Sequence, residues 1–454
     1  MRRRWRVTAT AMVAVVGFIG LRVVPVPAEL LGIAPIQPSL TGEIDPIPGQ
    51  ALSTAAPGTG GAATFGSPVI ITGDDTGEPG IDIAQDGTIY VNAPAGFLSS
   101  LPGSASFVYR STDGGSTWVK TPAGVRGLFP GGGDSDLSLD PETGKIYMTD
   151  LWLGSATVSF STDQGESWVA NPLEGTVVQD RQWISTPGGG TVYHLTHQIP
   201  AGLVVSKSVD GGVSFLLRTV AATPADQMGC ICPPGTLISE QGIGLLGFGD
   251  KVGFVYATST GGVRFARSTS GGSLFTNGDV SPPSAADTTQ AFPVVANAGG
   301  GHLVAVWMEI EEDRSRVQFA DSTDWGSTWS PPRTLVDAGT SVYPWIAAKG
   351  SKVAVSLYNT DATGTPGTVP EDARWFESYL ESTDGGATFS GLQIVDPTPV
   401  KSGPICTEGT GCSGNRELLD FQSLALDGDN RANLAWTRSI DNQADTELRF
   451  ARQQ

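Results

Sequence analysis

Eleven residues of this chain have the types and neighbours that binding chemistry needs: Asp134, Asp136, Asp180, Arg181, Trp183, Tyr343, Trp345, Arg374, Trp375, Arg416 and Asp420. Aromatic rings cover the apolar faces of sugars, carboxylates accept hydroxyl hydrogen bonds, and guanidinium groups hold anionic oxygens. Candidates for catalysis are Tyr343, Asp136, Asp180, Glu371 and Asp372, and a pair such as Asp136 with Glu371 or Asp372 would suit glycoside hydrolysis. The structural use of the same residues is equally open, with Trp183 and Trp345 packed inside the fold and Asp134 or Asp180 capping turns. Asp134 and Asp136 offer two acids for calcium, and no other metal or cofactor is expected. His194 and His197 are three apart on an expected strand and so face opposite ways, which disfavours a shared metal. With His302 they are the only histidines, and no Ser-His-Asp arrangement has sequence support.

The elements that position these groups are set by a repeat. STDGGSTW (Ser111 to Trp118), STDQGESW (Ser161 to Trp168), SVDGGVSF (Ser208 to Phe215), STSGGSLF (Ser268 to Phe275), STDWGSTW (Ser322 to Trp329) and STDGGATF (Ser382 to Phe389) follow one another at 50, 47, 60, 54 and 60 residues. That interval fits one four-stranded propeller blade, which cannot bury its own apolar surface and must stack in a ring. Within the octapeptide the Asp accepts hydrogen bonds from turn amides, the glycines supply positive φ, and the final ring folds into an apolar seam.

Ahead of each octapeptide lies a dense apolar run: GTIYVNA, GKIYMTDLW, GTVYHLTH, KVGFVYA, HLVAVWM and KVAVSLY, with a seventh, ANLAWT, at Ala432. Such runs are expected as the inner strands, covered on both faces. ELRFARQQ ends where a seventh octapeptide would begin, so the last blade lacks its outer strand. Ser67 to Thr72, SPVIIT, can supply it and close the ring. The expected fold is all-β, a seven-bladed β-propeller of four-stranded antiparallel blades closed by an N-terminal strand, with six blades as the alternative.

In that connectivity the segments leading into the inner strands share one face and the octapeptides the other. The lead-in segments are Gly73 to Asp82, Gly131 to Ser138, Gln179 to Ser185, Ser239 to Gly244, Thr288 to Val294, Ser341 to Ala347 and Asn415 to Ser423. They bring nine of the eleven residues towards one rim at the channel mouth, and a long blade-six loop adds Glu371, Asp372, Arg374 and Trp375 on the same side.

The octapeptide resembles the Asp box, or BNR repeat, of sialidase-like β-propellers, sortilin-type receptors and xyloglucanases. The match is carried by Asp113, Asp163, Asp210, Asp324 and Asp384 with the rings of Trp118, Trp168, Phe215, Trp329 and Phe389, and it is degenerate at Ser270. The resemblance implies the scaffold over most of the chain. A sialidase would also show a Phe/Tyr-Arg-Ile/Leu-Pro motif at the first strand, an acid/base Asp and a Tyr paired with Glu. Here the first strand reads EPGIDIAQ without arginine, and only Arg181, Arg416 and Tyr343 stand at later lead-ins. Xyloglucanases pair two propellers around a cleft, and this chain has one.

Basic MRRRWR, the apolar run Val7 to Leu21 and small residues ending at Ala28 predict a signal peptide over 1–28, too short to span a membrane. Residues 29–64 read as a Pro/Ala/Gly-rich spacer before a propeller domain at 65–454. The chain has 46 acidic and 27 basic residues, and loss of Arg2, Arg3, Arg4, Arg6 and Arg22 with the signal takes its charge from -19 to -24. That charge disfavours nucleic acid and anionic lipid as partners. Cys230, Cys232, Cys406 and Cys412 allow three disulfide connectivities; Cys230 with Cys232 would close a strained ring, Cys406 with Cys412 an ordinary one, and a four-thiolate metal site competes. The expectation is a secreted or cell-surface monomer that recognises a glycan or an envelope protein. The alternative is a divergent sialidase-like exo-glycosidase.

Overall fold

A computed structural model describes residues 63–95, 106–122, 132–152, 155–171, 179–223, 234–243, 245–442 and 445–454. The expected signal peptide, the spacer up to residue 62 and the Cys230 and Cys232 pair lie outside the described residues. Seven antiparallel sheets make the ring, six of them in chain order from axis to rim. Their innermost strands are Gly80–Ile83, Ser135–Leu139, Gln179–Gly188, Pro234–Glu240, Val294–Gly299, Thr340–Lys349 and Ser423–Leu426, each beside the next around the channel.

The apolar runs form the second strands, one place further out than expected. Ile89–Ala93 and Thr191–Gln198 are buried along their whole length. Tyr147, Tyr193, Tyr256, Trp307, Tyr358 and Trp436, all on second strands, are among the largest fully buried side chains. Apolar density reports where neighbouring blades sandwich a strand, and that is widest away from the axis. The lead-in expected at Ser239 to Gly244 is also corrected: Ser239 and Glu240 end the fourth innermost strand, so Ser239 to Ile243 belongs to the octapeptide face.

At the axis the blades come close enough for polar side chains to cross between them. Asp82 accepts from the Leu139 amide at 2.9 Å, and Asp136 from the Ile184 amide at 2.9 Å. Ser185 and Ser239 hydroxyls meet at 2.7 Å, and Thr236 bonds both polar atoms of Val295 at 3.0 and 3.1 Å. Gln422 donates to the Tyr343 carbonyl at 3.2 Å, and Ser423 to the Pro79 carbonyl at 2.5 Å. This belt bridges six of the seven joints; the joint between blades five and six is filled instead by Val294, Ala296 and Ile346.

Each octapeptide joins the third and fourth strands of its blade. Its first serine is buried and accepts the amide of the fifth residue in all six turns, as Gly115 to Ser111 at 2.9 Å. Asp113 accepts from Ser111 at 2.8 Å and from the Thr117 amide at 2.9 Å. Gly115, at φ 90°, lies against the preceding blade: a Cβ there would sit 1.9 Å from Phe450, so glycine alone fits. The turn is therefore a joint between blades as well as within one. In the fourth copy Ser270 accepts the Leu274 amide at 3.2 Å, so the turn survives without its carboxylate.

The ring closes as expected. Val69–Thr72 pairs antiparallel with Thr446–Arg452, Val69 opposite Phe450 and Thr72 opposite Leu448, and supplies the outer strand of blade seven. The latch extends back to Phe65, which bridges Gln453 and sets its ring 5.0 Å from Tyr379. A chain beginning at Gly73 is expected to melt far below one beginning at Ala63, read by differential scanning calorimetry; equal midpoints would refute closure by this strand. Ser270→Asp is expected to raise the midpoint by supplying the carboxylate acceptor of the other five turns, whereas Asp384→Ser should lower it.

Candidate functional site

Glu78, Asp134, Arg181, Pro234, Phe292, Tyr343 and Phe421 hold equivalent places at the lead-in ends of the seven innermost strands. The equivalence is seen in matching cross-blade bonds, Gln182 donating to the Asp134 carbonyl as Gln422 does to that of Tyr343. Three of the seven, Glu78 (φ 48°), Arg181 (φ 48°) and Tyr343 (φ 54°), adopt left-handed backbone without being glycine. Strain of this kind costs about 1 to 3 kcal/mol per residue and persists where the surroundings hold it.

Arg181 lies at the centre of the mouth. Its guanidinium carbon stands 3.8 Å from the Trp183 ring centroid, 4.6 Å from Phe421 and 5.3 Å from Phe292. Beneath it these rings pack on one another and on Trp345, with Trp345 stacked on Phe421 at 5.3 Å and Trp183 meeting Phe292 at 5.5 Å. They form a plug. Beside Trp345 lies a cavity of about 340 Å³ walled by Val294, Ala296, Ile346, Ala348 and Leu424.

The charges around Arg181 are close without being bonded. Its Nη1 is 3.7 Å from Glu78 Oε2 and 4.0 Å from Asp134 Oδ2. Among the described residues Nε, Nη1 and Nη2 make no hydrogen bond, nor do Glu78 Oε2 and the Tyr343 hydroxyl. Arg181, Glu78 and Tyr343 are only 3%, 3% and 2% exposed, so these unsatisfied groups are buried. Arg416 is engaged by Asp420, Nη2 to Oδ2 at 2.5 Å. Burial, with Asp134 and Asp420 adding to it, pushes the Glu78 carboxyl well above the usual carboxylate range against the pull of Arg181 and Arg416. Burial, then Asp420, likewise raises the Tyr343 phenol.

The structure thus gathers Asp134, Arg181, Tyr343, Arg416 and Asp420 at the mouth, with Glu78, and leaves Asp180 exposed at its edge, accepting from the Arg181 amide at 2.7 Å. Other expected site residues go elsewhere. Asp136 is a belt acceptor inside the ring, and its bond to Ile184 removes it from any pairing with Glu371 or Asp372. Trp183 and Trp345 are plug rings, Trp183 being 1% exposed and donating Nε1 to the Pro234 carbonyl at 2.8 Å. Trp375 is buried in blade six and donates to the Gly403 carbonyl at 2.8 Å, because its strand turns it towards the core. Glu371 and Asp372 remain exposed on the blade-six loop, and Arg374 is exposed at the start of the strand that follows it. Sequence reasoning misses Phe292 and Phe421; the proline in AFPVV, VYPWI and EPGID aligns Phe292 with Tyr343 and Glu78, and the shared Asp-x-Gln of DRQ and DFQ aligns Phe421 with Arg181.

Cys406 and Cys412 form a disulfide in the loop between blades six and seven. Among the described residues no three or more His, Cys, Asp or Glu side chains are grouped to hold a metal ion. His194 is buried with Thr149 Oγ1 2.8 Å from Nε2. A wider recess of about 650 Å³ on the octapeptide face is lined by His302, Asp321, Arg333 and Asp384, but Arg333 donates to the Ala387 carbonyl and Asp384 is held in its own turn. No described helix is long and apolar enough to cross a membrane.

No protein-family model matches the chain, and no curated protein matches it. Among solved structures it is similar to a protein of unknown function from Dyadobacter fermentans, at 14% identity and a TM-score of 0.48 over 86% of this chain and 98% of that one. It is similar to an ulvan lyase of the polysaccharide lyases at 13% identity and a TM-score of 0.48, covering 85% and 93%. It is also similar to YCF48 bound to D1 peptide at 12% identity and a TM-score of 0.47, covering 88% and 99%. Identities this low say nothing of this chain's chemistry.

Acids inside the ring, Asp82 and Asp136 half-buried at the axis and Asp150 buried on a second strand, give the fold a pH signature. Burial lifts Asp82 and Asp150 to about 6 and Asp136 to about 7, in each case against the amides that bond them. A raised folded pKa means stability that is present below the unfolded value and lost as pH rises through 6 to 7. The turn acids work oppositely. Hydrogen bonds, first from Thr117, Ser167 and Ser382, hold Asp113, Asp163 and Asp384 at about 2, so their contribution is lost as pH falls towards 2. The melting temperature is expected to peak at about pH 4, where the turn acids are ionised and Asp82, Asp136 and Asp150 are still protonated in the folded chain, and a profile rising steadily to about pH 8 would contradict the raised acids.

Proposed function

We propose that this chain is an exported recognition propeller that binds a glycan or a protein segment through an acidic or polyol group over Arg181. The observation that carries the reading is the buried guanidinium without a hydrogen bond. An unmade bond at a buried charged group costs more than about 1 to 3 kcal/mol. The ring does not require that cost, since Phe292 and Phe421 fill equivalent places. An acceptor oxygen of a ligand would satisfy Arg181, with the Tyr343 hydroxyl and Glu78 beside it and the plug as an apolar floor. The Asp-box resemblance and the disulfide favour an extracellular or cell-surface setting for such a module.

A second reading is the divergent glycosidase, favoured by Arg181 and Arg416 both facing Glu78 beside Tyr343. Against it, burial raises the phenol of Tyr343 and so works against its use as a nucleophile, and the first lead-in carries Glu78 where a clamp arginine is needed. An array of acidic and neutral glycans and acidic peptides, probed with the wild type and Arg181→Met, tests both. The variant is expected to lose at least about tenfold in affinity, or ~1.4 kcal/mol, for whatever the wild type binds. Its melting temperature should hold or rise, because a buried cation without a hydrogen bond gives way to an apolar side chain of similar length, and burial already biases the facing Glu78 carboxyl towards its neutral form. Unchanged binding would overturn the role of Arg181. Fluorogenic sialosides should stay uncleaved; turnover lost on Tyr343→Phe would favour the enzyme instead.

A further inference from the structure

Blades three and four depart from the repeat on the octapeptide face. The second octapeptide residue is Thr in five copies and Val209 in the third; the sixth is Ser, Glu or Ala in five copies and Val213 in the third; the seventh is Ser or Thr in five copies and Leu274 in the fourth. These positions point to solvent, and the other copies show that the turn folds with polar residues there. Of the thirteen exposed large apolar side chains among the described residues, nine fall between Val209 and Leu274. Leu216 is 89% exposed and Phe248 68%.

They form one surface. Lys207, just before the third octapeptide, donates to the Gly247 carbonyl at 2.8 Å, and the Gly271 amide of the fourth donates to the Asp250 carbonyl at 2.9 Å. The loop carrying Leu246 and Phe248 is thereby fixed between the two turns. Leu216 leads directly into the outer strand Leu217–Ala222, six residues long, with Leu217 and Val220 exposed and, among the described residues, no strand paired along its outer edge. The outer strands of blades one and two have two and three residues. An apolar patch continuous with a free strand edge is a template for association.

Charge selects the occupant. Residues 199–274 hold five basic and four acidic residues, in a chain of 27 basic and 46 acidic. Two copies of so acidic a chain repel over most of their surface, and this sector is where they can approach. We propose that the chain forms a two-fold homodimer through this face, the Leu217–Ala222 edges antiparallel and the apolar side chains of blades three and four covering one another. An isologous contact of this kind satisfies both edges at once. It replaces the expectation of a monomer and leaves the lead-in mouth free.

Sedimentation velocity of the full chain tests it. The wild type is expected to sediment as a dimer. Val213→Asp with Leu216→Asp, and separately Phe248→Ser with Leu274→Ser, should sediment as monomers with wild-type melting temperatures. Val119→Asp with Val169→Asp, at exposed apolar positions of blades one and two, should remain dimeric. A monomeric wild type, with the patch free or taken by some other molecule, overturns the proposal. So does a wild-type mass in either patch variant. Should one double variant fail to fold, the other reads the same face from a different blade.

Discussion

A four-stranded sheet that is apolar on both faces has no stable existence alone, and this constraint governs the whole chain. Every blade needs two neighbours, so the ring must close, and the last blade must borrow its outer strand from the beginning of the chain. Val69–Thr72 meets that need beside Thr446–Arg452. The octapeptides follow from the same constraint. Their buried serines lock the turn, and Gly115 or Gly326 brings the turn backbone against a ring of the preceding blade, Phe450 or Phe265. A side chain at either glycine would push blades apart.

Closure also explains why polar residues line the axis. Seven strands converging there leave too little room for large apolar side chains at every joint. Asp82, Asp136, Thr236 and Ser423 are short enough to reach a neighbour's backbone and satisfy it. The acids among them are half-buried, and their loss of solvation lifts Asp82 and Asp136 towards neutrality against the pull of the amides that bond them. Where the belt gives out, at the lead-in end, aromatic rings take over and plug the channel.

The blade number, the closing strand and the two faces were legible in the sequence because octapeptides and apolar runs are local, repeated signals. The order of strands within a blade was less so. Apolar density marks the sandwiched second strand, and a short polar strand such as Ser135–Leu139 reads like a loop until its neighbours are known. The site was legible as a rim and not as a set of side chains. Trp183 and Trp375 look alike in sequence, yet one plugs the channel and the other fills blade six. Asp134 and Asp136 are two residues apart, yet one faces Arg181 and the other bonds the next blade. Orientation of that kind depends on which strand a residue joins and where that strand starts: Trp375 stands on a third strand, and Asp134 precedes the innermost strand on which Asp136 lies.

Repetition supplies its own control for separating what the fold needs from what it tolerates. Equivalent places at the mouth hold Phe292, Phe421 and Pro234 in some blades and Glu78, Asp134 and Arg181 in others, so a charge there is not a condition of closure. Left-handed backbone adds strain at two of those charged places, Glu78 and Arg181, and at the equivalent Tyr343. Equivalent octapeptide positions hold Thr or Ser in most blades, so Val209, Val213 and Leu274 are not conditions of the turn either. Each departure costs something the other copies avoid, burial of unbonded charge in one case and apolar surface in water in the other. They lie on opposite faces of one ring, so a contact made at either leaves the other open.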